Sequence, residues 1–214
     1  GVELIMMGKP LSEASSKAAS EIGINGDAKT YHSYLWRKYF QIFGRKIHQI
    51  EPYVHDWDTI LEDIDKLSDS RMAQIKSNNE TLIIDEGQDM SKYFYLFVQY
   101  LFDSYTIFAD DNQRLHDDNS RLKDIRAFGG TKKEYYLNRN YRNTRQIAEL
   151  ALEFHTGVSK TPDLPTKNGN KPIFRFVNSF QDSVNAIVNW ENNVPTKSMG
   201  VFTNTIKDQI KVNN

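Results

Sequence analysis

The sequence predicts an α/β protein built on a parallel sheet. Short apolar runs, such as residues 82–84 and 105–109, alternate with longer segments in which apolar residues recur at helical spacing. The first of these runs ends in two adjacent carboxylates, Asp85 and Glu86, and the second also ends in carboxylates. Strands that alternate with helices favour crossover connections and a parallel sheet. Both acidic ends would then lie at the carboxyl edge of that sheet, where open α/β sheets bind ligands.

Each element follows from the local pattern of apolar and breaking residues. Glycines end the first helix, a proline at position 52 marks a loop, and Ser12 and Thr144 are expected to cap the first and seventh helices. The predicted strands are residues 2–7, 27–31, 82–84, 105–109, 134–137, 173–177 and 199–203. The predicted helices are residues 11–22, 31–43, 57–67, 70–77, 93–101, 122–128, 145–152 and 180–192.

The composition indicates a globular, soluble chain. Of 214 residues, 26% are charged and 39% hydrophobic, and no apolar stretch is long enough to span a bilayer, so we expect no membrane partner. Cysteine is absent, which rules out disulfides and thiolate metal sites and leads us to expect a cytoplasmic protein. The formal net charge of −1 gives no global attraction to nucleic acid, so such binding would depend on local basic stretches, for example residues 121–145.

The pair Asp85-Glu86 has the chemistry of the magnesium and water end of a nucleotide-hydrolysing site. A hard cation that bridges phosphates requires a fixed carboxylate, and a neighbouring carboxylate can orient and deprotonate an attacking water. Asp85 would hold the cation and Glu86 would serve as the base. Taken alone, the pair is better explained as a strand followed by a solvated acidic turn.

Three further segments, taken in order with the run from Asp85 to Asp89, form a more specific pattern. These segments are Thr30-Tyr31-His32-Ser33, Ala109-Asp110-Asp111-Asn112-Gln113 and Leu137-Asn138-Arg139-Asn140-Tyr141-Arg142-Asn143-Thr144. With them, the chain resembles the UvrD/Rep-type superfamily I helicases over nearly its whole length. Residues 5–18 resemble, more loosely, the strand and helix that follow the family's phosphate-binding loop.

The resemblance implies RecA-like domains that use ATP and Mg²⁺. By this resemblance, Asp85 would bind magnesium, Glu86 would activate water and Gln113 would sense the terminal phosphate. The guanidinium of Arg142 would stabilise the charge on the transferred phosphoryl group, and the ring of Tyr141 would stack on the nucleotide base. Gln88 would brace the site through hydrogen bonds.

The resemblance also implies contact with single-stranded nucleic acid, DNA more than RNA. Lys9, Thr30 and His32 match positions that touch the backbone of one strand, and His116 stands where relatives carry base-stacking aromatic residues. Two of these residues have ordinary structural explanations. Thr30 would end a strand, and His32 would be a hydrogen-bonded histidine at the start of a helix.

The chain departs from the family in several places. It contains no Gly-x-x-x-x-Gly-Lys-Ser/Thr phosphate-binding loop, Gly87 replaces a phenylalanine, and residues 115–118 lack the usual aromatic residues. We therefore expect an internal fragment. Residues 1–156 would form part of the first RecA-like domain with a small helical insertion at about 44–78, residues 157–171 a linker, and residues 172–214 the start of a second RecA-like domain.

The sequence leaves three alternative functions open. The first is an ATPase whose turnover is coupled to binding, translocation along or unwinding of nucleic acid. The second is a nucleotide-gated switch that keeps the helicase fold and does not unwind, which the compact insertion and the missing aromatic residues favour. The third is a degenerate scaffold without catalysis.

Overall fold

The computed structural model describes residues 2–23, 28–78, 81–114, 119–155, 157, 160–193, 199–203 and 208. The strands are β1 (Val2–Met6), β2 (Lys29–Thr30), β3 (Gln49–Glu51), β4 (Val54–His55), β5 (Thr81–Ile84) and β6 (Tyr105–Ile107). The helices are α1 (Lys9–Glu21), α2 (Tyr31–Phe43), α3 (Trp57–Asp65), α4 (Asp69–Asn78), α5 (Lys92–Leu101), α6 (Leu122–Gly129), α7 (Arg145–Leu152) and α8 (Phe180–Asn193).

Four of the strands form one parallel sheet in the order β2-β1-β5-β6. Residues of β1 pair in register with β5 from Val2↔Thr81 to Ile5↔Ile84, and Ile84 pairs in turn with Ile107 of β6. Helices flank the sheet, so the predicted α/β class and the parallel sheet are confirmed. The arrangement is consistent with Rossmann and RecA-like folds.

The core joins the central strands to the helices through aliphatic and aromatic side chains. Ile5, Leu82 and Ile84 are fully buried, as expected for strands covered on both faces. Aromatic rings extend the same cluster, and Tyr31 at the start of α2 meets Phe94 of α5 edge to face at 4.9 Å between centroids. Each large apolar side chain contributes roughly 1.5–3 kcal/mol by burial, so these helices are fixed against the sheet by many independent contacts.

Residues 44–78 contain the antiparallel hairpin β3–β4 as well as α3 and α4. The prediction of a helical insertion is therefore incomplete, because strands of three and two residues carry too little alternation to be visible in the sequence. The buried carboxylate of Asp63 in α3 accepts hydrogen bonds from the Tyr39 hydroxyl and from Arg45. Burial and the Asp63 carboxylate raise the pKa of Tyr39 above its ordinary range. The insertion is thereby fastened to α2.

Several predicted elements differ in the structure. Helix α1 begins at Lys9 after Gly8, so Ser12 is not its cap; the Ser12 hydroxyl donates to the Lys9 carbonyl inside the helix. Residues 134–137, 173–177 and 199–203 are not strands. Their side chains are mostly exposed, with Phe176 fully so, and a strand without a neighbour cannot satisfy its backbone hydrogen bonds.

The segment predicted as a linker lies against the chain just before α7. The amide of Asp163 donates to the Asn138 carbonyl at 2.6 Å, and the amide of Arg145 donates to the Lys167 carbonyl at 2.7 Å. The division into two RecA-like domains stays a prediction. Within the described part of the chain, no helix has both the length and the hydropathy needed to cross a membrane.

Candidate functional site

The direction of chain progression across the sheet reverses between β1 and β5, the topological position at which open α/β sheets have their ligand crevice. These two strands are neighbours, yet β1 leads outward to β2 on one side and β5 leads outward to β6 on the other. At such a reversal of strand order the connecting segments diverge, which leaves an open cleft beyond the strand ends. Gly8 follows β1 at this point, and Asp85 and Glu86 follow β5. The acidic pair therefore lies where an α/β sheet binds its ligand.

Asp85 is fixed by its backbone between two strands. Its amide donates to the Ile5 carbonyl of β1 at 2.9 Å. Its side-chain Oδ1 accepts from the amide of Glu86 at 3.0 Å, and within the described residues Oδ2 has no hydrogen bond. The side chain is half-buried. One carboxylate oxygen is thus held and the other is available to a ligand.

Glu86 adopts a backbone conformation that non-glycine residues rarely take. Its φ of 53° and ψ of 44° are left-handed, at a cost of roughly 1–2 kcal/mol for an L residue. The next residue, Gly87, then donates its amide to the Phe108 carbonyl at 2.8 Å. This turn keeps the ends of β5 and β6 side by side beyond the last strand residues. Backbone strain of this kind clusters at functional sites.

Gln88 connects the acidic pair to the end of the neighbouring strand. Its side chain is almost wholly buried, and Nε2 donates to Glu86 Oε2 at 2.7 Å. Its Oε1 accepts from the backbone amide of Asp110 at 3.0 Å. Both ends of the amide are satisfied, so the side chain has one orientation and Glu86 is positioned by it.

Asp110 organises the turn that follows β6. Its Oδ1 accepts from the backbone amide of Asn112 at 2.9 Å, and its Oδ2 accepts from Gln113 Nε2 at 3.0 Å. Gln113 is exposed at the surface of this turn. The hydrogen bonds from Glu86 through Gln88 and Asp110 to Gln113 form a continuous chain, which we call the carboxyl-edge network.

Gly87 occupies a position that admits no side chain. A Cβ there would lie 2.7 Å from Ile107 Cγ2, 2.8 Å from the Tyr95 hydroxyl oxygen and 3.2 Å from the Phe108 carbonyl oxygen. The Tyr95 hydroxyl donates to the Gly87 carbonyl, and burial raises the pKa of Tyr95. The hydroxyl of Tyr95 therefore occupies the space that a side chain at position 87 would need.

The residues expected to touch nucleic acid lie beside the ends of β1 and β2. Lys9 is exposed and pairs with Glu13 at 3.6 Å. Thr30 ends β2, as its structural explanation expects, and it also caps α2, since its Oγ1 accepts from the Ser33 amide at 3.4 Å. His116 lies outside the described residues.

His32 forms a pair with His55 from the hairpin. Nδ1 of His32 lies 2.9 Å from Nε2 of His55, so one ring donates and the other accepts. Burial lowers the pKa of His32, and burial together with the charge of His32 lowers the pKa of His55 to about 4. Both rings are therefore neutral at pH 7, and the pair fastens β4 to α2.

Tyr141 and Arg142 lie in an exposed segment before α7. The guanidinium of Arg139 lies over the Tyr141 ring at 5.4 Å from its centroid. Within the described residues, Arg142 makes no hydrogen bond or ion pair, so no such contact links it to the carboxyl-edge network. The roles of Tyr141 and Arg142 stay predictions.

The donor set at the crevice fits a magnesium ion that is shared with phosphates. Among the described residues no three histidine or acidic side chains gather into a metal cage. Magnesium does not require one, because it keeps several waters and commonly takes one or two carboxylates together with substrate phosphates. Asp85, with one oxygen held and one available, matches that requirement. The sequence supplies no glycine-rich phosphate cradle beside it.

Two residues of this site were not predicted to take part. Asp110 belongs to a matching segment, but its central place in the network depends on a side-chain contact from Gln88, 22 residues away. For Tyr95, the sequence pattern predicts only an ordinary core residue of a helix. The acidic end of β6 was the available signal for Asp110, whereas nothing in the sequence indicated Tyr95.

Comparison of the chain with models of known protein families and with curated proteins gives no match.

Proposed function

We propose that this chain forms the magnesium and water side of an ATP-hydrolysing site of the UvrD/Rep-type superfamily I helicase class. In this proposal ATP turnover is coupled to single-stranded nucleic acid, with DNA favoured over RNA. The observation that carries the proposal is the carboxyl-edge network, which links Glu86 after β5 to Gln113 after β6. Two of the four segments of the resemblance, separate in sequence, are thereby in contact.

Each residue of the proposed site has a role that follows from the chemistry of its side chain. Asp85 would bind the cation directly or through its water shell, and Mg²⁺ would supply charge neutralisation between the phosphates. Glu86 would accept a proton from the attacking water, and Gln88 would hold the carboxylate in the orientation that this requires. Gln113 would present its amide to the terminal phosphate, and Arg142 would add positive charge once the second domain approaches.

The proposal requires a phosphate-binding loop, and the free edge of β6 is the place for the strand that carries it. In the described residues β6 pairs with β5 alone. A parallel strand added there would end beside Asp110 and Gln113. Only β6 would separate it from β5 and from Asp85. The opposite edge, at β2, is separated from β5 by β1. In this proposal the strand that carries the phosphate-binding loop pairs with β6, and neither the strand nor the loop is among these 214 residues.

Replacement of Glu86 by Gln in the protein at its full natural length tests the proposal. The amide keeps the size of the side chain but cannot accept a proton, so ATP turnover should fall by about 10²–10⁴-fold. Nucleotide affinity should change little, because the magnesium contact belongs to Asp85. Turnover that survives the replacement would remove Glu86 from the mechanism.

A nucleotide-gated switch is the second candidate, and the compact insertion favours it. Residues 44–78 contain one short hairpin and two short helices fastened to α2 through Asp63, without a further subdomain in the described residues. A switch should hydrolyse ATP slowly and displace no strand from a duplex. Stimulated ATPase and strand-displacement assays on one preparation separate it from a motor.

A further inference from the structure

An exposed aromatic surface lies beside the nucleic-acid residues predicted from the sequence. His32, Trp36 and Phe40 recur every four residues on one stripe of α2, and Trp36 and Phe40 are 40% and 57% exposed. Tyr53, from the turn between β3 and β4, packs onto this stripe and is itself 63% exposed. We call these four rings the aromatic face.

The rings of the aromatic face are oriented as a stacking surface. Tyr53 and Trp36 are nearly parallel, at 11° and 6.0 Å between centroids. The ring of Tyr53 also packs edge to face against the ring of His32, at 5.2 Å between centroids. His32 is in turn hydrogen-bonded to His55. Trp36 and Tyr53 are stacked and both partly exposed, so an unpaired base can add one further layer to the pair.

Tyr53 is held in a conformation that a tyrosine takes only at a cost. Its φ is 67°, in the left-handed region where glycine or asparagine is the ordinary residue. The stabilisation from stacking on Trp36 is of the same order as the cost of the left-handed backbone, so it does no more than offset that cost. Stability of the turn therefore gives little reason for a tyrosine, and ligand binding does.

The surroundings favour nucleic acid over a protein partner. The face adjoins the end of β2, where the Thr30 hydroxyl and the exposed Ser33 can donate to phosphate oxygens. Lys9 lies at the end of the adjacent strand β1, which pairs with β2 through Met6 and Thr30. On the hairpin side, Asp56 is engaged in capping α3 and Glu51 is exposed. Phosphates would accordingly lie on the Thr30 side and bases on the rings.

We propose that the aromatic face, with Tyr53 and Trp36 at its centre, binds unpaired bases of single-stranded nucleic acid by stacking. This inference rests on the proposed function for the identity of its ligand. It places base binding on α2 and the hairpin, in addition to any contact from residues 115–118.

The test compares two labelled oligomers on the protein at its full natural length. One is a fluorescein-labelled oligothymidylate, and the other has the same number of phosphates but abasic sites. Wild type should bind the oligothymidylate about 10-fold or more tightly than the abasic oligomer. Tyr53→Gly should lose most of that preference, and Tyr53→Phe, which keeps the ring, should retain it. Trp36→Ala and Trp36→Phe form a second matched pair with the same expectation.

A stability measurement separates this role from a structural one. Tyr53→Gly relieves the positive φ, so its urea midpoint should equal or exceed that of wild type. A Tyr53 that only fastens the hairpin would lower the midpoint and leave the base preference unchanged, which overturns the inference. Equal binding of the two oligomers by wild type overturns it as well, as does a change of oligomeric state in the variants without a change in base preference.

Failure here is distinguishable from failure of the proposed function. The base preference is measured without ATP, whereas the proposed function is tested by the dependence of ATP turnover on Glu86. If turnover requires Glu86 but the Tyr53 variants bind bases normally, only the aromatic face is refuted.

Discussion

The side-chain amide of Gln88 donates a hydrogen bond of 2.7 Å to Oε2 of Glu86. The same amide accepts from the backbone of Asp110, so one buried side chain sets the distance between the ends of β5 and β6. The proposed base and the proposed phosphate sensor therefore share a support. A change in either turn would be transmitted to the other through this residue.

Replacement of Gln88 by Ala should destabilise the protein by about 1–3 kcal/mol, because it leaves the Asp110 amide unsatisfied and opens space in a buried position. Urea unfolding measures the change. Gln113→Ala is the matched control, since this glutamine is exposed and its loss should change stability by no more than about 0.5 kcal/mol. Equal effects of the two replacements would contradict the supporting role of Gln88.

Replacement of Gly87 by Ala should destabilise the protein by about 1–3 kcal/mol, as expected for overpacking. The added methyl would lie 2.7 Å from Ile107 Cγ2 and 2.8 Å from the Tyr95 hydroxyl. Thermal or urea unfolding gives the magnitude. Gly8→Ala serves as control, because its Cβ would meet only Pro10 Cδ at 3.8 Å. If Gly87→Ala is as mild as Gly8→Ala, the close packing at Gly87 is wrong.

Stability should fall as the pH is lowered from about 6.5 toward 4. His55 has a pKa of about 4 when folded against 6.5 as the ordinary value, so between these two values the unfolded chain binds more protons than the folded one. The neutral His55 ring carries no penalty above pH 6.5, and stability is lost progressively as the pH falls from 6.5 toward 4.

The pH prediction is checked with His55→Phe, which cannot titrate. Urea midpoints are measured at pH 7 and pH 5 for wild type and variant, and the difference between the two pH values should be smaller in the variant. Carboxylates elsewhere contribute equally to both proteins. The same difference in both would show that the pair of His32 and His55 is not what makes the fold acid-sensitive.

The sequence was informative where function and burial imposed a clear pattern. The apolar run of β5 and the carboxylates after it predicted both the strand and its place in a parallel sheet. The helix after Thr144 also begins where predicted, although the Thr144 side chain makes no capping hydrogen bond. These features are local, and local periodicity is sufficient to find them.

Features that depend on distant partners could not be predicted. The place of Asp110 depends on the register between β5 and β6, which a single strand does not encode. The hairpin around Tyr53 is too short for a visible alternation. Residues 173–177 have the composition of a strand, but in the described residues no neighbouring strand pairs with them.

Asp85 and Glu86 are proposed to form the magnesium and water side of an ATPase site. The steady-state rate of ATP hydrolysis by the protein at its full natural length with Mg²⁺, for wild type and Glu86→Gln, tests this claim. We expect hydrolysis by wild type and a loss of about 10²–10⁴-fold in the variant, with nucleotide binding retained. Hydrolysis at the wild-type rate in Glu86→Gln would contradict the claim.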